Sequence, residues 1–276
     1  MPKHLLPHKH SVNRMRILLG PAGTPMASTL KGVEYVHDTG LTAMEVEFVY
    51  GIKMTNQTAK EIGEKAKALN MKLSIHAPYY INLASADMKT RTASKKRILM
   101  SCERGHYLGA EFIVFHPGYY YKNDKEETFK IIKEAIADLL HTIKKNKWHV
   151  KLAPETTGKI NVFGSLQETM RLVKETGCSM CVDFAHLLAR AGTIDYDETI
   201  KEMKKSGLEH FHCHFSGIEY TEKGERRHIM TEPKRMQELA AAIIKNKINC
   251  TIINESPDPL GDSLAMRKVF QKKIKL

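Results

Sequence analysis

Short stretches along the chain have the alternating apolar and polar pattern of strands. Residues 71–77 set Leu73 and Ile75 against Ser74 and His76, the two-residue period of a strand. Pro78 follows and removes a backbone donor, so the strand should end there. The eight stretches of this kind are 15–20, 43–49, 71–77, 111–117, 149–155, 179–185, 210–216 and 248–256.

The segments between these strands have helical patterns. Residues 59–70 have apolar side chains at 59, 62, 66 and 69, and 127–146 is a longer amphipathic segment that ends in lysines. A third segment begins at Ser165, a good N-cap, and ends at Gly177, and 232–246 fills the last interval. Strands that alternate with helices require a parallel sheet, and eight such units predict an α/β fold, a single (β/α)8 TIM barrel.

An open, doubly wound sheet is the alternative architecture for this pattern. Its dinucleotide-binding form needs G-x-G-x-x-G after the first strand, and GPAGTP at 20–25 is not that motif.

The composition fits one globular domain. The chain has 276 residues with 42% hydrophobic side chains, and its apolar runs are too short to span a membrane. The segment 1–14 is basic and lacks the apolar region of a signal peptide, so we interpret it as an N-terminal extension of a single TIM-barrel domain covering 1–276. Five scattered cysteines predict a reducing, cytoplasmic location. The Cys178 and Cys181 pair lacks a second pair nearby, which argues against a thiolate metal site.

The net charge is strongly positive. The 43 Lys and Arg residues exceed the 31 Asp and Glu residues and give a formal charge of +12. Such a field attracts polyanions such as nucleic acids. A lysine-rich solvated surface would give the same composition, so charge alone leaves both interpretations open.

Side chains of metal-ligand types occur at the ends of six consecutive predicted strands. These residues are His76, His116, Glu155, Asp183 with His186, the alternating His210, His212 and His214, and Glu255. Because the carboxyl ends of parallel barrel strands open on one face, the side chains should converge there. Buried carboxylates would repel each other and be costly to desolvate unless cations neutralise them.

The ligand types indicate which metal. Imidazole and carboxylate without thiolate favour Zn²⁺ or Mn²⁺. The set is too large for one four-coordinate ion, so we expect two or three ions, an arrangement that suits phosphodiester hydrolysis.

Several ordered motifs resemble the endonuclease IV family of apurinic/apyrimidinic (AP) DNA endonucleases, archaeal-type members in particular. The motifs are SIHAPYYINLAS, FHPG, APETTGK followed by FGS, VDFAH, HFHCHFSG and NESP, and the resemblance runs from about residue 15 to 257. It implies a xylose-isomerase-like TIM barrel with three metal ions.

The resemblance also implies roles for individual positions. The first ion's ligands are His76, His116 and Glu155, and the second ion's are Glu155, Asp183, His212 and Glu255. Glu155 would bridge two ions, and Glu155 and Glu255 would be the catalytic carboxylates that position the metals and the nucleophile. Tyr79 and Arg227 match positions expected to contact DNA.

The third ion's site departs from the family pattern. His186 and His228 match, but Arg226 stands where the family has an aspartate ligand. We expect Glu225 to replace that ligand if the loop shifts by one residue. His214 stands where the family has asparagine, and the resemblance implies no role for it.

The resemblance implies a function in base excision repair. We expect a monomeric, metal-dependent enzyme that cuts duplex DNA 5′ to abasic sites and leaves a 3′-hydroxyl and a 5′-deoxyribose phosphate. Two alternatives stay open: a xylose-isomerase-like sugar isomerase or epimerase, and a non-catalytic DNA-binding barrel. Metal stoichiometry and an incision assay distinguish them.

Overall fold

The computed structural model describes residues 15–120 and 124–274. The basic extension predicted for 1–14 lies outside the described residues. The strands of the described chain are β1 Ile17–Pro21, β2 Ala43–Glu47, β3 Lys72–His76, β4 Phe112–Phe115, β5 Lys151–Pro154, β6 Cys181–Asp183, β7 His210–Phe215, β8 Gly217–Thr221, β9 Gly224–Ile229 and β10 Asn249–Asn254. The helices are α1 Thr29–Asp38, α2 Asn56–Ala68, α3 Met88–Leu108, α4 Lys125–Lys145, α5 Leu166–Thr176, α6 Phe184–Ala191, α7 Tyr196–Lys204, α8 Pro233–Asn246 and α9 Pro259–Ile274.

Eight of these strands form a closed parallel barrel. One run has the order β1–β10–β7–β6, and the other has the order β2–β3–β4–β5. Parallel bridges between Ala22 and Glu45 and between Glu155 and Cys181 join the two runs at both seams. The prediction of a TIM barrel is confirmed, and each predicted strand overlaps a barrel strand.

The β8–β9 hairpin is an insertion that the sequence pattern did not predict. Its two strands pair antiparallel and lie between β7 and α8. The hairpin therefore adds to one sector of the barrel mouth, and the predicted eighth strand is β10.

Local signals set the helix ends near the barrel mouth. Ser165 and Glu168 form a reciprocal capping box at the start of α5, and Gly177 ends that helix in the left-handed region, with φ of 76°. Asp183 ends β6 and caps α6, because its side chain accepts a hydrogen bond from the backbone N–H of His186. The turn between β6 and α6 therefore holds two candidate ligands rigidly.

The barrel interior has a small apolar layer beneath the polar mouth. Phe112, Val114, Ala153 and Cys181 pack together there, and the ring of His212 stacks on Phe112 with centroids 4.9 Å apart. The larger apolar core lies between the strands and the surrounding helices. All five cysteines are buried and free. Among the described helices, none is long and apolar enough to cross a membrane.

Candidate metal centre

Most of the predicted ligands converge at the carboxyl ends of the barrel strands. Glu155, Asp183, His186 and His76 are at most 4% exposed, whereas the His116 side chain is 31% exposed. These side chains lie within one cluster of contacts that also includes Glu255. The convergence predicted from the strand ends is therefore present in the structure.

Glu155 lies at the middle of this cluster. Its Oε2 lies 3.2 Å from His76 Nε2 and 3.0 Å from His116 Nε2. Its Oε1 faces the opposite way, 3.2 Å from His214 Nδ1 and 3.2 Å from His186 Nδ1. A carboxylate whose two oxygens face different imidazole pairs has the arrangement of a bridging ligand.

The described residues form five groups of possible ligands, one of them Cys181, His212 and His214, and three of the five share members and form a row. Within each group the ligand atoms lie within 4.8 Å of one another; the groups of the row are His76, His116 and Glu155; Glu155, Asp183, His214 and Glu255; and Asp183, His186 and His228. Glu155 belongs to the first two groups and Asp183 to the last two. The two shared carboxylates therefore link three positions in a row.

Hydrogen bonds around the centre leave lone pairs directed into it. His76 Nδ1–H donates to the Ala77 carbonyl at 2.8 Å, so the lone pair of a neutral His76 lies on Nε2, facing the Glu155 carboxylate. His186 Nδ1–H similarly donates to the Thr156 carbonyl at 2.9 Å, which leaves its buried Nε2 without a hydrogen bond. A lone pair and a carboxylate that face each other repel unless a proton or a cation lies between them.

The two carboxylate oxygens of Asp183 have different surroundings. Its Oδ1 accepts the hydrogen bond from His186 N at 2.8 Å, and its Oδ2 is buried without a hydrogen bond. This oxygen lies 3.3 Å from His186 Nδ1, whose N–H already donates to the Thr156 carbonyl, so a cation would satisfy it. The donor set therefore fits divalent metal ions, and carboxylates with imidazoles suit zinc or manganese.

The crowded charges shift the pKa values of the site. Burial would lower the pKa of His76, but the hydrogen bond with Glu155 and the charge of Glu47 outweigh it and raise that pKa to about 10. Burial would raise the pKa of Glu255, but the charge of His214 outweighs it and lowers that pKa to about 2. Burial raises the pKa of Glu47 to about 8. Protons on the imidazoles can thus neutralise the carboxylates where cations do not.

The structure does not bring His212 to the position expected for it. His214 lies with Glu155, Asp183 and Glu255, whereas His212 lies deeper, is fully buried, and places Nε2 2.9 Å from Glu45 Oε2. The physical reason is the strand period, because His212 and His214 both face the barrel interior and only the later residue reaches the mouth. In the predicted ligand set, His214 therefore takes the place expected for His212, two residues earlier on β7.

Two carboxylates on β2, one fully buried and one half-buried, were missed by the sequence analysis. Glu45 is fully buried beside His212 and His214, and Glu47 groups with Glu45 and Glu255 within 4.8 Å. The signal was visible in the stretch AMEVEFV, where two glutamates alternate with apolar residues in a strand. Acidic residues at every second position of a barrel strand all face one side.

The hairpin places the remaining predicted ligands. Glu219 pairs with Arg227 and Tyr220 pairs with Glu225, so Arg226 is the extra residue of a β-bulge. The bulge lets Glu225 turn inward, with Oε2 3.4 Å from His186 Nε2, and His228 Nδ1 lies 2.6 Å from Ser216 Oγ.

The two arginines of the hairpin face away from the centre. Arg226 Nη1 and Arg227 Nε lie 2.7 Å and 2.6 Å from the two carboxylate oxygens of Glu219, and both arginine side chains are about two-thirds exposed or more, at 67% and 71%. The structure does not bring Arg227 to the metal centre, and its contact with DNA stays a prediction.

Tyr79 lies on the rim of the centre, as expected of a substrate contact. It is 59% exposed, and its ring centroid lies 6.0 Å from that of His76. A neighbouring pocket of about 480 Å³ is lined by Tyr79, Tyr80, Ile81, Asn82, Lys89, Thr90, Ala93, Arg97 and Tyr119. The rim therefore combines exposed aromatic rings with two cations.

Comparison with known proteins identifies the family. Residues 33–259 match the xylose isomerase-like TIM barrel family, and the chain belongs to it. The chain is similar to an uncharacterized protein of Methanocaldococcus jannaschii, 34% identical over 269 residues, which are 93% of this chain and 97% of that protein. A probable endonuclease 4 of Mycobacterium leprae is 28% identical over 195 residues, which are 68% of this chain and 74% of that protein. The xylose-isomerase-like barrel family implied by the motifs is confirmed, and the probable endonuclease 4 relative is consistent with the resemblance.

Solved structures with the same fold include enzymes of different classes. Endonuclease IV from Thermus thermophilus matches with a TM-score of 0.71 and 18% identity, over 94% of this chain and 99% of that chain. D-psicose 3-epimerase from Clostridium cellulolyticum matches with a TM-score of 0.66 and 14% identity, over 95% of this chain and 97% of that chain. At these identities the likeness shows the fold alone.

Proposed function

We propose that the protein is a metal-dependent AP endonuclease that hydrolyses the phosphodiester 5′ to an abasic site in duplex DNA. The observation that carries this proposal is the row of three ligand groups linked by Glu155 and Asp183. Two or three zinc ions, with manganese possible at part of the positions, suit the imidazole and carboxylate donors. The similarity to the probable endonuclease 4 of Mycobacterium leprae supports the same reaction class.

The residues of the centre would divide the work of hydrolysis. Divalent cations held by these residues would polarise the scissile phosphate and lower the pKa of a water, so that it can lose a proton and attack as hydroxide. Glu155 holds the two sides of the centre at a fixed separation, because its oxygens face His76 and His116 on one side and His186 and His214 on the other. The Glu255 side chain is 18% exposed and lies at the mouth, where it can accept a hydrogen bond from the attacking water.

The end of the row formed by His186 and His228 would face the leaving group. His186 and His228 lie beside the hairpin, with ring centroids 5.2 Å apart, and Glu225 adds negative charge there. In-line attack from the Glu255 side would direct the departing 3′ oxygen towards this end, leaving a 3′-hydroxyl and a 5′-deoxyribose phosphate.

The rim of the centre would contact the DNA. Tyr79 and Tyr80, which are 59% and 70% exposed, offer rings against which a sugar or an unpaired base can stack, and Lys89 and Arg97 line the same pocket. The overall charge of +12 would hold flanking phosphates without reading sequence. Binding to undamaged duplex should therefore weaken steeply as salt is raised, which a titration at two salt concentrations would measure.

A sugar epimerase is the second candidate, because D-psicose 3-epimerase shares the fold. Such an enzyme would use fewer ions and would need a chiral carbon of a small sugar between its acid and base. The three linked ligand groups and the positive charge favour a phosphodiester substrate instead.

An incision assay separates the candidates. Zinc-loaded protein is incubated with a duplex that carries one abasic site, and the ends are tested by polymerase extension, which requires a 3′-hydroxyl. Undamaged duplex is the substrate control, Glu155→Gln is the control for contaminating nuclease, and ketohexoses are tested for epimerisation in parallel. Incision that disappears in Glu155→Gln supports the proposal, whereas epimerisation without incision would replace it.

A further inference from the structure

We infer that Glu45 is a positioning residue that sets the tautomer of His214, so that the Nδ1 of His214 is the nitrogen presented to a metal ion. The inference rests on the metal centre of the proposed function. It assigns a role to a carboxylate on β2, a barrel strand that provides none of the ligands expected from the motifs.

His214 lies between carboxylates on both sides of its ring. Its Nδ1 faces the centre, 3.2 Å from Glu155 Oε1 and 3.3 Å from Glu255 Oε1. Its Nε2 faces the barrel interior, 2.8 Å from Glu45 Oε1. Both atoms are buried, and neither makes a hydrogen bond of good geometry within the described residues, so their 2.8 Å contact is close but poorly aligned. Cys181 also lies near His214, and Glu45 Oε1 is the carboxylate oxygen within ion-pair distance of Nε2.

Glu45 is itself held in place from below. Its Oε2 lies 2.9 Å from His212 Nε2, and Glu45, His212 and His214 are all fully buried. His212 is fixed in turn by stacking on Phe112. The three side chains form a column from the apolar layer of the barrel to the metal centre, with Glu45 between the two imidazoles.

The chemistry of imidazole gives this column its function. A neutral imidazole carries one proton, and a metal ion takes the lone pair of the other nitrogen. A carboxylate at Nε2 accepts that proton, holds the ring orientation and makes Nδ1 a better donor, as in known carboxylate–histidine–metal arrangements. Without Glu45 the proton could move to Nδ1, where an N–H would face the incoming cation and oppose binding.

The position of Glu45 also explains why His212 lies apart from the centre. His212 orients Glu45, and Glu45 orients His214, so two of the interior histidines of β7 have different tasks. His214 is the ligand, and His212 is its indirect support.

The test compares metal affinity with fold stability. Glu45→Gln keeps the shape of the side chain but removes its charge, and we expect the affinity for one of the bound ions to fall by about 10- to 100-fold. Competition with a chromophoric chelator measures the affinities, and the visible spectrum of the Co²⁺-loaded protein reports the geometry of the remaining ligands. The control is Asp262→Asn, which alters another buried carboxylate, one that accepts a hydrogen bond from Thr231 N at 2.8 Å and belongs to none of the groups of possible ligands among the described residues.

Each outcome bears on the inference. Normal metal affinity in a folded Glu45→Gln protein would overturn it, and so would equal losses of affinity in Glu45→Gln and Asp262→Asn. If Glu45→Gln does not fold, NMR of wild-type protein labelled at its histidine nitrogens and loaded with NMR-active cadmium decides. Coupling of cadmium to Nδ1 of His214 supports the inference, and coupling to its Nε2 refutes it.

Failure of the inference and failure of the proposed function can be told apart. Wild-type protein that binds no divalent metal tightly would remove the metal centre itself. Wild-type protein that binds metal and cuts abasic DNA, with an unaffected Glu45→Gln variant, would remove only the role of Glu45.

Discussion

The metal centre has two sides that are built in different ways. On the barrel side, His76 and His214 lie on strands and are at most 4% exposed. On the hairpin side, Glu225 and His228 are carried by an antiparallel insertion, and the Glu225 side chain is 21% exposed. Asp183 belongs to groups on both sides, and Glu155 links the two groups of the barrel side and contacts His186 beside the hairpin.

The difference teaches how position is specified in each region. A barrel strand is held by parallel neighbours on both edges, so a ligand on it has one height and one direction. A two-stranded hairpin is less constrained, and a single bulge changes which residue faces the centre. We therefore expect substitutions on the barrel side to abolish the centre and substitutions on the hairpin side to weaken one end of it.

The largest effect is expected where the two sides meet. Glu155→Gln should retain the fold but lose bound metal on both sides and reduce incision by about 10³-fold or more, because stabilisation of transition-state charge is lost. Metal content by mass spectrometry and single-turnover incision measure this. The control is Glu111→Gln, which removes a surface ion pair with Lys151 instead. Near-normal turnover in Glu155→Gln would contradict the bridging assignment.

Loss of the hairpin carboxylate should have an intermediate effect. In Glu225→Ala we expect bound metal to fall by about one ion and incision to slow by about 10²-fold, while the barrel side stays loaded. Glu222→Ala, an exposed change in the same hairpin, is the matched control. If Glu225→Ala equals wild type in both measurements, Glu225 does not hold an ion.

The pH dependence of metal binding tests whether imidazoles are ligands on both sides of the centre. The pKa of His76 is raised to about 10, and that of His186 is raised well above its usual value against the effect of burial by the charge of Asp183 and the hydrogen bond with Glu155. At neutral pH a metal ion must therefore displace protons. Since a proton and a cation compete for the same imidazole, affinity should rise with pH by about tenfold per unit for each proton released.

Calorimetry in buffers of different ionisation enthalpy counts these released protons. An affinity that stays flat between about pH 6 and pH 9 would mean that the imidazoles are not the ligands.

The contact between Gly158 and the hairpin offers a milder test. A Cβ added at Gly158 would lie 2.6 Å from the Glu225 Cβ and 2.9 Å from its Oε2, and also 3.1 Å from His186 Cδ2. Gly158→Ala should therefore push Glu225 away from His186 and reproduce Glu225→Ala in weaker form, with a loss of several-fold, below about 10²-fold, in incision. Combining both changes should add little, because they act on one contact. Strictly multiplicative losses would show that Gly158 acts elsewhere.

The barrel and the ligand types could be predicted from the sequence because both depend on local patterns. Alternation along 71–77 and the helix signals at Ser165 and Gly177 are properties of short segments, and the structure confirms them. The position of a residue along the barrel axis depends on strand pairing and not on the residues next to it in the sequence. All three histidines of β7 face inward, and only the pairing of Asp183 with His214 shows which of them reaches the mouth.

Two other features depend on contacts between distant strands and not on the local pattern of residue types. Glu45 contacts His212 and His214, which are more than 160 residues away in the chain, so its role cannot be read from its neighbours. The bulge at Arg226 arises from the register between β8 and β9, which the residue types alone do not determine. Long-range register is thus what the sequence analysis lacked in both regions.

The smallest effect is expected from restoring the family residue at the bulge. Arg226 stands where the motif has an aspartate ligand, so the motif alone suggests that Arg226→Asp would rebuild the site. The structure argues otherwise, because Arg226 faces Glu219 on the outer surface of the hairpin, and Glu225 already turns towards His186. Breaking an exposed ion pair costs little.

Metal content and incision in Arg226→Asp should therefore stay within about twofold of wild type. The informative comparison is the double variant Glu225→Ala with Arg226→Asp. It should remain as defective as Glu225→Ala alone if the bulge fixes which side chain faces the centre. Recovery of the missing ion in the double variant would show that the hairpin changes register to present an aspartate, and that its pairing, unlike that of the barrel strands, follows the ligand.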